Sequence, residues 1–89
     1  MLFSIRTTQF KRDVNLAQKR GRPMKKLIAV MEKLTNEEPL LPKFQDHKLE
    51  GNYKNHRECH IEPDWLLIYK VEGDSIYFVR TGTHSDLFK

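Results

Sequence analysis

RECHIEPDWLLIYK, residues 57–70, decides how this chain is read. Trp65 to Val71, WLLIYKV, is apolar on both parities, the pattern of a central strand covered on both faces. Glu62-Pro63-Asp64 before it is a turn signal, because Pro presets φ for the first central position. Upstream of that turn, roughly Asn55 to Ile61 reads as a second strand. Downstream, EGDS is a hairpin turn, and Ser75 to Thr83 is a last strand rich in β-branched and aromatic residues. HSDLFK follows as a short tail.

The N-terminal half has a different period. Leu2, Ser4 and Arg6 alternate with Phe3, Ile5 and Thr7, which suits a first strand. Thr7 or Thr8 caps a helix whose Phe10, Val14 and Ala17 recur at i, i+4, i+7. Gly21 and Pro23 break it. A second helix runs from about Met24 to Leu34, with Leu27, Ile28, Met31 and Leu34 as its apolar stripe. Residues 43–56 are polar and irregular, with a turn at Gly51. The predicted order is β-α-α-β-β-β, an α+β fold with two N-terminal helices packed on a sheet.

Eighty-nine residues predict one domain, 1–89. The single cysteine, Cys59, excludes an intrachain disulfide framework. No signal peptide is recognisable in MLFSIRTTQFKRD, and no segment approaches the ~20 apolar residues of a membrane span. The expectation is a soluble cytoplasmic protein. The net charge of +4 is uneven: residues 1–43 carry ten Lys/Arg against four Asp/Glu, and residues 44–89 carry six against eight. KRDVNLAQKRGRPMKK, residues 11–26, concentrates the excess. It reads as a solvated helix face with a basic loop, or as a surface that faces phosphates.

All four histidines, His47, His56, His60 and His84, lie in the second half. Strand parity places His56, Glu58 and His60 on one face and Arg57, Cys59 and Ile61 on the other. HRECH therefore does not predict a Cys/His metal site, since Cys59 points away from His60. Asp64 sits in the turn beyond His60, and the last strand can bring Arg80 and His84 alongside. Two imidazoles, carboxylates and a guanidinium suit RNA cleavage by the 2′-hydroxyl. Imidazoles titrate at ~6.5 and serve as base and acid. Arg matches phosphate oxygens and stays charged. Each residue also has a structural alternative: His47 satisfying loop backbone, Asp64 shaping a turn, Arg80 pairing with a carboxylate, Phe88 docking in the core.

DVNLAQKR, FQDHKLEG, RECHIEPDWLLIYK and RTGTHSDLF together resemble the YafQ branch of the RelE/ParE toxin superfamily, over about Phe10 to Phe88. The last three blocks, in this order and spacing, are specific. The resemblance implies a microbial RNase fold with a twisted antiparallel sheet. It implies the toxin of a type II toxin–antitoxin pair, a ribosome-dependent endoribonuclease that cuts mRNA in the ribosomal A site. A cognate antitoxin would neutralise it, and the complex would repress its own operon by binding operator DNA. No cofactor or metal is expected. By motif, His47, His60, Asp64 and His84 match catalytic positions of the branch, and Phe88 a functional phenylalanine. Glu58 departs from the branch's Asp; it keeps the charge on a longer arm. Arg80 stands where the superfamily often contacts phosphate, and Lys19 and Arg20 would meet ribosomal RNA phosphates or the acidic parts of an antitoxin. The competing readings are a ParE-like gyrase inhibitor, which needs no acid–base residues, and a non-catalytic RNA- or protein-binding module.

Overall fold

The computed structural model describes residues 1–88. The elements are β1 (Phe3–Arg6), α1 (Thr8–Lys19), α2 (Met24–Thr35), β2 (His47–Lys48), β3 (Arg57–Glu62), β4 (Trp65–Glu72), β5 (Ser75–Gly82) and α3 (His84–Leu87). They form one five-stranded sheet in the order β1-β5-β4-β3-β2.

The α+β class and both N-terminal helices stand as read. Thr7 caps α1 by accepting from the Phe10 N–H at 3.0 Å. Pro23 leads α2, where a missing N–H costs nothing. The sheet itself is mixed rather than wholly antiparallel. β2, β3, β4 and β5 pair antiparallel, but β1 runs parallel to β5, with Phe3 opposite Ser75 and Arg6 opposite Phe78. A parallel neighbour needs a long crossover, and the whole α1–β4 segment supplies one. Residues 43–56, expected to be irregular throughout, contribute the two-residue strand β2. HSDLFK, expected as a tail, contains α3.

β4 is buried on both faces, as its composition requires. Trp65, Leu67 and Tyr69 meet Phe10, Ala17, Leu27, Val30, Met31 and Leu34 of the two helices. Leu66 and Ile68 face the other way, beneath Leu87, Leu49, Tyr53 and Val79. The α2 stripe is Leu27, Val30, Met31 and Leu34; Ile28 is half exposed. That stripe follows i, i+3, i+4, i+7, and Ile28 falls just outside its arc.

Two irregularities re-aim side chains. The β3–β4 register shifts between His60 and Glu62. In the β4–β5 pair, Ile68 opposes Arg80 while Tyr69 opposes Phe78, so Val79 is an extra residue. Bulges of this kind bend a strand and redirect the side chains beyond them.

Candidate active site

The sheet face opposite the helices carries the cluster. His47 on β2 lies opposite Glu58 on β3. Asp46 anchors this corner by accepting from Tyr69 Oη (2.7 Å) and Arg57 Nε (3.1 Å). His47 Nδ1 donates to the Gln45 carbonyl at 2.7 Å. A carbonyl only accepts, so that nitrogen carries the hydrogen.

Glu58 is 4% exposed, and its Oε1 lies 3.2 Å from His60 Nε2. His60 is mostly covered, and its ring centroid is 6.4 Å from that of His47 and 5.8 Å from that of His84. His84 is the first residue of α3. Its Nδ1 lies 2.6 Å from Asp64 Oδ1, and its backbone N–H donates to the same oxygen at 3.0 Å. Asp64 is thus both turn residue and orienter. The two bonds from His84, backbone first, hold its carboxyl below the usual carboxylate range. Because an ionised carboxylate only accepts, Nδ1 of His84 carries a hydrogen and Nε2 faces the open side. Phe88 is 42% exposed beside this pair, with its ring 6.5 Å from His84 and 5.8 Å from Tyr53.

Arg80 reaches the same region but is committed in part to structure. Its Nε donates to Asp13 Oδ2 at 2.8 Å and its Nη2 to Asp13 Oδ1 at 3.2 Å. Asp13, buried on α1, also accepts from the Thr81 N–H and Gln9 Nε2. Thr81 Oγ1 in turn accepts from Trp65 Nε1 and donates to the Leu66 carbonyl. Asp13 lies on the stripe of Phe10, Val14 and Ala17. A carboxylate at i+3 from a buried Phe was the signal that would have found it.

The two residues expected to meet ribosomal RNA differ. Arg20 Nη1 lies 2.7 Å from Asp86 Oδ2, and this pair drives the Asp86 carboxyl far below its usual range. Asp86 also accepts from the Thr83 N–H while Thr83 caps Asp86, a capping box at the start of α3. Arg20 therefore ties α1 to the helix that carries His84. Lys19 is exposed, with no ion pair among the described residues.

Cys59 is fully buried on the helix side, where burial pushes its thiol pKa up. It takes no part in the cluster. Glu58, His60 and His84 do offer ligand atoms within 4.8 Å of one another. Nitrogen and oxygen donors so placed fit a divalent transition metal.

Two imidazole–carboxylate pairs on the open sheet face of an α+β chain supply the groups of acid–base catalysis. The profile of the family described as "Bacterial toxin of type II toxin-antitoxin system, YafQ" matches residues 4–89, and the chain belongs to that family. It is 48% identical over 81 residues to the "mRNA interferase toxin YafQ" of Escherichia coli strain K12, covering 90% of this chain and 88% of that one. The toxin in the crystal structure of the E. coli DinJ–YafQ complex superposes with a TM-score of 0.92 at 43% identity, over the whole of both chains. A metal-bound toxin from Helicobacter pylori gives a TM-score of 0.92 at 40% identity, covering 99% of this chain and 100% of that one.

Proposed function

We propose that this toxin is an mRNA interferase, an endoribonuclease that cuts mRNA in the ribosomal A site. One observation carries the reading: two imidazoles, each with its own carboxylate, stand with ring centroids 5.8 Å apart on an open face. A scissile phosphate between them meets both proton-transfer groups. One neutral imidazole takes the 2′-hydroxyl proton, and the 2′ oxygen attacks phosphorus. The other, protonated, gives its proton to the departing 5′ oxygen. The products are a 2′,3′-cyclic phosphate and a 5′-hydroxyl end. The two imidazoles stand differently: His60 is enclosed beside Glu58, and His84 is open beside Asp64. Arg80, already oriented by Asp13, offers its remaining N–H groups to the phosphorane. Phe88 supplies a face for a base, and His47 Nε2 contacts the substrate.

Glu58, His60 and His84 would hold a divalent metal, which when bound supplies a Lewis acid to a phosphoryl oxygen. The same lone pairs serve proton transfer, so the residues alone suffice for the reaction and no cofactor is invoked.

Primer extension on an mRNA, with and without programmed ribosomes, tests the reading. A cut that needs ribosomes, survives EDTA and disappears in His84→Ala is the expected outcome. A cut of free RNA would keep the chemistry and remove the ribosome. No cut from the folded protein would move the function to gyrase inhibition or to a binding role. A cognate antitoxin, with operator DNA bound through it, is the partner we assign by family; DinJ plays the antitoxin's part in the E. coli complex.

A further inference from the structure

A groove of about 560 Å³ lies on the helix side of the sheet, at the end of β3, where His60 borders it. That volume falls within the ~300–1,000 Å³ of small-ligand sites. Its floor is apolar, formed by Val30, Phe44, Ile61 and Pro63. Its rim carries Lys26 and Lys33 from α2 and Lys43 from the turn at Pro42–Phe44. The single acid on it, Glu62, is met by both Lys26 Nζ (3.0 Å) and Arg22 Nη1 (3.3 Å). Lys33 and Lys43 have no acidic partner among the described residues. Lys43 Nζ instead sits 5.3 Å from the Phe44 ring centroid. β2 is short and pairs only with Arg57 and Glu58, so the edge of β3 past them has no strand beside it and the Pro42–Phe44 turn stands there instead.

Its position follows from the proposed cleavage site, on which the inference rests. A strand cut between His60 and His84 must leave in two directions. Phe88 stands on the His84 side. His60 is itself a wall of the groove. An apolar floor with a flat aromatic and an unneutralised cationic rim matches a nucleoside base and the phosphates beside it. We propose that this groove is a binding subsite for single-stranded RNA. It holds the nucleotide on the His60 side of the scissile phosphate, with the base against Phe44 and Ile61 and the flanking phosphates on Lys33 and Lys43.

The experiment uses ribosomes programmed with an mRNA whose attacking 2′ position is methylated, so that it binds uncut. 4-Thiouridine is placed at the nucleotide on either side of the cleavage point. One flank should crosslink near Phe88 and the other to the peptide around Phe44. On cleavable mRNA, Lys33→Glu/Lys43→Glu should raise the half-saturating ribosome concentration about tenfold while the maximal rate stays within about twofold, the mark of lost uniform binding. Two lost phosphate contacts should flatten the log–log salt dependence by about 1.4. Phe44→Ala should lose the second crosslink alone. Both lysines are exposed on α2 and a turn, so the charge reversals leave the core untouched.

Crosslinks that avoid the groove on both flanks would overturn the proposal. So would a double variant that cuts with the parent's concentration and salt dependence. A variant that cuts normally but no longer binds antitoxin would give the groove to an acidic peptide pairing with the β3 edge, and overturn it too. If the parent neither cuts nor crosslinks, the ribosomal reading falls and this one with it. If the parent cuts and the groove is silent, this one falls alone.

Discussion

Two polar networks flank β5, and they are built on opposite plans. On the α1 side, Asp13, Arg80, Thr81 and Trp65 form a closed set, with Asp13 7% and Thr81 3% exposed. On the open face, His84 and Asp64 make an equally short contact with more than half of each side chain exposed. A permanent buried pair fixes geometry but cannot exchange protons with a substrate. An open pair exchanges them, and has little rigidity of its own. The molecule separates the two: the buried set holds β5 and Arg80, and the open set stays accessible from solvent.

That contrast breaks most sharply at His84. His84→Ala should lower the cleavage rate by ~10²–10⁴-fold, the usual share of a general acid or base. Its thermal midpoint should stay near the parent's, as a fluorescence melt will show. Asp13→Ala should behave in the opposite sense. Removing one partner of a buried pair costs ~3–5 kcal/mol, so the midpoint should fall steeply, with activity lost through Arg80. If Asp13→Ala melts like the parent, the buried set is not the scaffold.

Asp64→Asn is intermediate. The amide keeps the turn but loses the charge that steadies an imidazolium, and the rate should fall about tenfold, less than on removing the imidazole itself. For pH, the sign is fixed by direction. Asp64 and Asp86 both have folded pKa values below the unfolded ones. Their contribution is therefore present above the ordinary carboxylate pKa of ~3.9 and is lost as pH falls through the depressed folded values. The Asp64 side-chain carboxyl ¹³C shift, followed by NMR, should stay that of the ionised group through the ordinary carboxylate range and move only below it. A shift that moves at the ordinary value would show that Asp64 is not held.

The smallest effects belong to α1's surface. Lys19→Glu should weaken ribosome association a few-fold, less so at high salt. Arg20→Ala should move the midpoint by only a few degrees, since an exposed pair contributes little. Its loss should show instead as a looser α3. Equal ribosome defects in both variants would mean that Arg20 leaves Asp86 when it meets RNA.

Much of this was legible. WLLIYKV announced a strand with two covered faces, and Glu58, His60 and Asp64 were placed by parity and one turn. The direction of β1 was not, because alternation says which face is buried but nothing about the partner strand. α3 was missed although Thr83-x-x-Asp86 spells a capping box; the segment is too short for periodicity to register. That Arg80 pairs with a carboxylate was one of its two readings, but the partner could not be named, since Asp13 lies 67 residues away in a basic stretch.

That distance has a consequence in time. β1 and both long helices are synthesised before residues 75–82, yet β1 pairs with β5 and Asp13 waits for Arg80. A chain emerging at ~5–20 residues per second carries its basic helices for seconds before the strand that completes the sheet exists. His84 comes later still. The ribosome that makes this protein therefore handles it first without His84, and the imidazole cluster is assembled only after β5 has been made.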